Sequence, residues 1–173
     1  RLLVLDGRLG HRACGGVGVA TVFVQGDARW AGERLGGGVR TLGEAGCLVC
    51  VLASIASDLG RPVDPRRLNR WLTAQGCFLP DGRLRMAGLL PLGLRLAGWV
   101  DCYQRRISWR RVASDLAAGR GVLALIDARP GQAPQAHWVR LLAVHAGDCT
   151  IMDPWQAADG ALVSLTGLYG APG

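Results

Sequence analysis

The chain has 173 residues, half of them hydrophobic and 19% charged, with 26 glycines and a net charge of +7. That length and balance exclude a disordered polypeptide and suit a single domain with a sizeable core. The apolar runs stop short of the ~18 residues a spanning helix needs, and the basic residues are scattered rather than gathered between aromatics, so neither a membrane span nor a nucleic-acid partner is expected.

Taken in chain order, "RLLVLDGRLG" is an apolar run followed by a turn, and "GVGVATVFVQ" alternates and is β-branched, which predicts a strand ending near Gln25. "GDARWAGERLGGGVRTLGEAG" is a long, polar, glycine-rich loop, and a loop of that length inside a compact domain usually has a function. "CLVCVLASIASDLG" predicts a helix that is apolar nearly all round, therefore buried, and closed by Gly60. In "RPVDPRRLNRWLTAQG" Asp64 is the N-cap, Pro65 the first helical residue and Gly76 the stop. The stretch from Cys77 to Val100 is mixed, with a turn at "PDG" and a short helix after it. A further helix is capped by Ser108 and closed by Gly119, and "VLALID" is a buried strand. "HWVRLLAVHAGDCTIMDPW" predicts a β-hairpin turning at "AGD", and one more short strand follows it. Helices first and mostly antiparallel strands afterwards make an α+β domain with a buried N-terminal helix packed on an antiparallel sheet. One domain over 1–173 is expected, with 1–21 an N-terminal extension of unclear role and no visible leader segment.

The six cysteines are Cys14, Cys47, Cys50, Cys77, Cys102 and Cys149. Their spacing is irregular. Cys47 and Cys50 form a C-x-x-C, but no second pair and no H-x-x-x-H completes four zinc ligands, and with three histidines in the chain no metal is expected. Cys47 opens the buried helix, where unpaired N–H groups and the helix dipole favour a thiolate. Gly46 before it would let the backbone approach a substrate. His137 starts a strand and Asp153 ends the partner strand of the same hairpin, so a tight turn brings the two to one end of the ladder. Cys, His and Asp in that order have the sequence shape of a cysteine peptidase. Each residue also has a plainer reading: a helical Cys as a small buried hydrophobe, a His as polar strand edge, and "DPW" as a turn whose Asp accepts backbone N–H groups.

"QGDARWAGERLGGGVRTLGEAGCLVCVLASIASDLG" resembles the opening of the C39-like cysteine peptidases of the papain-like superfamily. "DPRRLNRWL" is similar to their next helix, and "LAAGRGVLALID…AHWVRLLAV…DCTIMDPW" to their last third, so the resemblance covers about residues 22 to 156. It implies a papain-like fold and a metal-free, cofactor-free thiol hydrolase. Carried onto this chain it makes Cys47 the nucleophile, His137 the general base and later acid, and Asp153 the orienting group. Gln25 then becomes an oxyanion donor beside the Cys47 backbone N–H. In many papain-like enzymes the Gln stands six residues before the Cys, where this chain has Thr41; the family resembled often has it farther upstream, which suits Gln25. Cys50 becomes a spectator thiol. The implied substrate is a peptide or peptidoglycan peptide, in a secreted, cell-surface or virion setting. The alternative is a catalytically silent papain-like domain that binds or builds structure in a virion or surface assembly, and a C-x-x-C redox or zinc protein is a third reading.

Overall fold

The computed structural model describes residues 1–7, 20–85, 88–89, 92–101, 107–129, 132–133, 135–156 and 162–170. His11, Cys14 and Cys102 lie outside them, as do residues 86–87 and 90–91 of the stretch after "PDG" where a short helix is expected.

Six strands form one sheet: β1 (Leu2–Gly7), β2 (Leu94–Val100), β3 (Gly121–Asp127), β4 (Ala136–His145), β5 (Asp148–Met152) and β6 (Leu162–Ser164), in the order β2-β1-β3-β4-β5-β6. Every neighbouring pair is antiparallel. The helices are α1 (Leu42–Ala45), α2 (Cys47–Asp58), α3 (Pro65–Ala74), α4 (Trp109–Ala117) and α5 (Leu165–Tyr169). Among the described residues no helix is long and apolar enough to cross a membrane. The architecture is thus α+β, but its first element is a strand rather than a helix. Leu2–Gly7 run between β2 and β3 and pair with both.

Strand alternation divides the core in two. Leu123 on β3 and Leu5 on β1 join Leu52, Ile55, Leu68 and Leu72 of α2 and α3 on one face. Val122, Ala124, Val139, Leu141 and Ile151 meet Val112 of α4 and Leu165 of α5 on the other. The sheet therefore lies between two helical layers, and β3, covered on both sides, reads as an unbroken apolar run. Helix α2 approaches the sheet so closely that a Cβ at Gly121 would stand 2.6 Å from the Ile55 Cγ2.

The local signals that end the helices hold. Asp64 accepts from the Arg67 N–H (2.8 Å), Ser108 accepts from the Arg111 N–H (3.3 Å), and the chain leaves α2, α3 and α4 through Gly60, Gly76 and Gly119 at φ of +83°, +64° and +73°. The β4–β5 turn places Ala146 and Gly147 at φ of +46° and +87°, the left-handed pair that matches strand twist in a two-residue hairpin.

The expected strand ending near Gln25 does not form over its described part, residues 20–25. Its polar groups are taken by α2 instead. The Thr21 N–H and hydroxyl both donate to Asp58 Oδ1 (3.1 and 2.6 Å), and the Ser54 hydroxyl donates to the Thr21 carbonyl (2.5 Å). Val22 and Phe23 pack on the core. Over residues 20–25 no ladder partner adjoins the segment among the described residues.

The long loop after Gln25 is tightly held. Trp30 is buried, its indole N–H donates to the Val24 carbonyl (2.8 Å), and its ring meets Phe23 edge-on at 5.8 Å. Glu33 accepts from Arg66 and Arg70 of α3 (2.7 and 2.9 Å). Buried Asn69 of α3 accepts from the Gly36 N–H (3.1 Å) and donates to the Arg34 carbonyl (2.9 Å), fixing a 3-10 turn at Leu35–Gly37. Asn69→Ala leaves two backbone groups unpaired and is expected to cost roughly 1–3 kcal/mol in chemical denaturation, with earlier proteolysis inside 34–40.

Candidate active site

Gly46 is the N-cap of α2 and Cys47 its first residue, half-buried at the wall of a cleft. The helix begins there because α1 and α2 join at a bend. The Gly46 N–H closes α1 on the Leu42 carbonyl (2.8 Å), and its own carbonyl accepts from the Cys50 N–H (3.0 Å). A Cβ at residue 46 would stand 2.4 Å from the Leu42 carbonyl oxygen. The glycine is thus required by this junction, whatever it also does for a substrate.

His137 is the second residue of β4, and Asp153 follows β5 directly. The hairpin register, with Arg140 opposite Met152, leaves both at the open end of the ladder. They meet there: His137 Nε2 and Asp153 Oδ1 are 2.7 Å apart, with the two side chains 1% and 0% exposed. Trp155 stacks on the imidazole, ring centroids 4.4 Å apart and planes 18° apart, and covers the pair from solvent. His145, at the opposite end of β4, takes no part.

Charge is stabilised at this pair. Burial opposes protonation of His137. The hydrogen bond to Asp153, the hydrogen-bonding interaction with Cys47 and the charges of both partners outweigh it, and lift the imidazole from 6.5 to about 9. For Asp153, burial works against ionisation, but bonds from His137, Tyr169 and the Trp155 N–H hold it below the usual carboxylate range. At neutral pH the imidazolium is held by the Asp153 carboxylate, with Cys47 lining the cleft beside it.

The sign for stability follows. A folded-state pKa raised above its unfolded value stabilises fully below about 6.5, and that contribution is lost as pH rises through about 9. We expect His137 to remove roughly 3 kcal/mol at most across this window, since each pKa unit is worth 1.36 kcal/mol. Denaturant titrations from pH 6 to 9.5 should show the slope in the native sequence and its loss in His137→Gln.

Gln25 is 3% exposed and lines the same cleft. Its Nε2 donates to the Gly43 carbonyl (2.7 Å), which fixes the amide orientation because a carbonyl only accepts. One Nε2–H remains for a further acceptor. The Gln25 N–H donates to the Pro154 carbonyl (2.9 Å), tying this residue to the turn that carries Asp153. Thr41 does other work: its N–H donates to Glu44 Oε2 (2.7 Å) at the start of α1.

Cys50 is fully buried one turn beyond Cys47, and burial, with the nearby Cys47 and Asp27, pushes its thiol far up. Cys47, Cys50, Cys77 and Cys149 are all free thiols. Among the described residues no three His, Cys, Asp or Glu side chains are grouped to hold a metal ion.

Two residues at the site carry no sequence signal of their own. Tyr169 of α5 donates its hydroxyl to Asp153 Oδ2 (2.5 Å), and Gln156 Nε2 lies 3.4 Å from the same oxygen. The cleft measures about 660 Å³ and is lined by Gln25, Cys47, His137 and Trp155, by the apolar Leu35, Phe78 and Leu84, and by the charged Arg40, Glu44, Asp81 and Arg83. Comparison of the chain with protein-family models, with curated proteins and with solved structures gave no match in any of the three.

Proposed function

We propose that this chain is a cysteine peptidase of papain-like fold, similar to the C39-like peptidases, acting on peptide or peptidoglycan-peptide amides. The observation that carries the reading is the buried His137–Asp153 pair with Cys47 on the wall of the same cleft, near enough to raise the imidazole pKa. One hairpin supplies His137 and Asp153, and α2, some 90 residues earlier, brings Cys47 to them. A small buried hydrophobe, an edge histidine and a turn aspartate have no reason to converge in this way.

In this reading the Cys47 thiolate attacks the carbonyl carbon of the scissile amide. The C–S bond forms and the carbonyl π pair moves to oxygen. The second Nε2–H of Gln25 and the Cys47 N–H, at the start of α2, stabilise that oxyanion. Its collapse breaks the C–N bond, and the His137 imidazolium gives its proton to the leaving amine. His137, now neutral, takes a proton from water as the water oxygen attacks the thioester. The C–S bond breaks, the acid product leaves, and the thiolate–imidazolium pair is restored. Asp153 keeps the imidazole in place and balances its charge throughout.

The test uses a thiol-reactive probe with the adduct mapped by mass spectrometry, followed by a peptide and peptidoglycan-fragment library. The expected result is an adduct at Cys47 formed at neutral pH and blocked by a cleaved substrate. A Cys47 that stays unmodified in the folded protein would overturn the reading.

A further inference from the structure

We propose that Tyr169 is a positioning residue of this site, its hydroxyl holding the Asp153 carboxylate in the one orientation that presents Oδ1 to His137. The inference rests on the peptidase reading above and adds to it a residue outside the Cys-His-Asp set.

Asp153 is fully buried, and its two oxygens are used differently. Oδ1 meets His137 Nε2 (2.7 Å) and accepts from the Trp155 N–H (2.9 Å). Oδ2 accepts from the Tyr169 hydroxyl (2.5 Å), and Gln156 Nε2 is distant at 3.4 Å. Without the phenol, Oδ2 is a buried carboxylate oxygen with one long contact, and the carboxyl can turn about its own bond or take up a proton.

The phenol is held in place by its own scaffold. Ser164 caps α5, accepting from the Gly167 N–H (2.8 Å), and its hydroxyl donates to Asp148 Oδ2 (2.5 Å). Asp148 Oδ1 accepts from the Thr166 N–H (3.0 Å), and Leu165 is buried against β5 and β4 residues. The base of the β4–β5 hairpin turn therefore anchors α5, and α5 returns a side chain to the hairpin's open end. That two-point attachment exceeds what a solvated terminal turn requires.

The titratable groups facing Asp153 are His137 of β4 and Tyr169 of α5, and Cys47 of α2 acts on His137 in turn. Burial and the Asp153 charge push the phenol above its ordinary range, so Tyr169 stays a neutral donor while Asp153 is ionised. Removing the hydroxyl raises the pH at which Asp153 takes a proton, because a bond to the charged form is lost. The support for the imidazolium then fails earlier on the acid side.

The experiment is the pH profile of Cys47 alkylation by iodoacetamide, mapped by mass spectrometry, in the native chain, Tyr169→Phe, Asp153→Ala and the double variant, with thermal melts as the fold check. Tyr169→Phe is expected to move the acid limb of the profile to higher pH by about half a unit or more. In the Asp153→Ala background the same change is expected to move nothing, which a merely structural loss would not reproduce. A reactive Cys47 whose profile is unmoved by Tyr169→Phe, or moved equally in both backgrounds, overturns this inference alone. An unreactive Cys47 in the native chain overturns the peptidase reading and this inference with it.

Discussion

Cys47→Ala is expected to abolish hydrolysis, by on the order of 10³-fold or more, while Cys50→Ser keeps most of the activity and all of the probe labelling at residue 47. The two thiols stand three residues apart on one helix, so only their surroundings separate them. Cys47 is half-exposed in the cleft at the N-terminus of α2, beside an imidazole that carries charge at neutral pH. Cys50 is fully buried in the apolar body of the same helix, and its ionisation is disfavoured first by burial and then by Cys47 and Asp27. A thiol attacks as its thiolate, so the raised Cys50 is expected to stay unlabelled where Cys47 is labelled. Replacing Cys50 with serine puts a hydroxyl among apolar neighbours and lowers stability somewhat, so melts and rates should both be measured. Equal loss in the two variants, together with stoichiometric zinc in the purified protein, would replace the peptidase reading with a metal-binding one.

The parts of the fold that were legible in the sequence are those whose determinants are local. A cap, a proline at the first helical position, a glycine at positive φ and a two-residue turn act within a few residues of themselves, so α2, α3, α4 and the β4–β5 hairpin follow from composition and spacing. The meeting of His137 with Asp153 was legible for the same reason, since the hairpin register fixes it. Cys47 was legible because it opens a buried helix. The placement of β1 was not. Leu2–Gly7 pair with residues near 98 and 122, and nothing in a short apolar run names partners that far away. Residues 20–25 mislead in the opposite sense: their alternation fits a strand, yet Ser54 and Asp58 of α2 take the Thr21 backbone groups and hydroxyl. Tyr169 was invisible because a tyrosine near a chain's last strand has no local mark of function. Its meaning arises from where α5 docks.

Asp153→Asn is expected to leave the fold intact and to lower the rate roughly 10- to 1000-fold. The amide can keep the carboxylate's shape. With its oxygen toward His137 Nε2 and the Trp155 N–H, both bonds to Oδ1 survive, and the new NH₂ then faces the Tyr169 hydroxyl, which can turn to accept from it. Gln156 Nε2, at 3.4 Å, becomes a donor facing a donor and shifts away. The reversed amide is worse, because it aims NH₂ at the His137 ring and stabilises the tautomer with its proton on the cysteine side. Either way the negative charge is gone. The hydrogen bond and charge of Asp153 are among the causes that lift His137 to about 9, so the imidazolium loses support at neutral pH. Proton delivery to the leaving amine then weakens even where the geometry is kept. The loss is bounded above because Cys47 also stabilises the imidazolium, and bounded below because burial, now unopposed by a carboxylate, favours the neutral ring. The measurement is kcat on a cleaved peptide beside the His137 imidazole titration followed by NMR. The rate and the His137 pKa should fall together, with unfolding still cooperative and the melting temperature at neutral pH lowered by the lost support of the imidazolium. An unchanged rate, with some other carboxylate or amide bonded to His137, would remove Asp153 from the triad even if Cys47 and His137 keep their places.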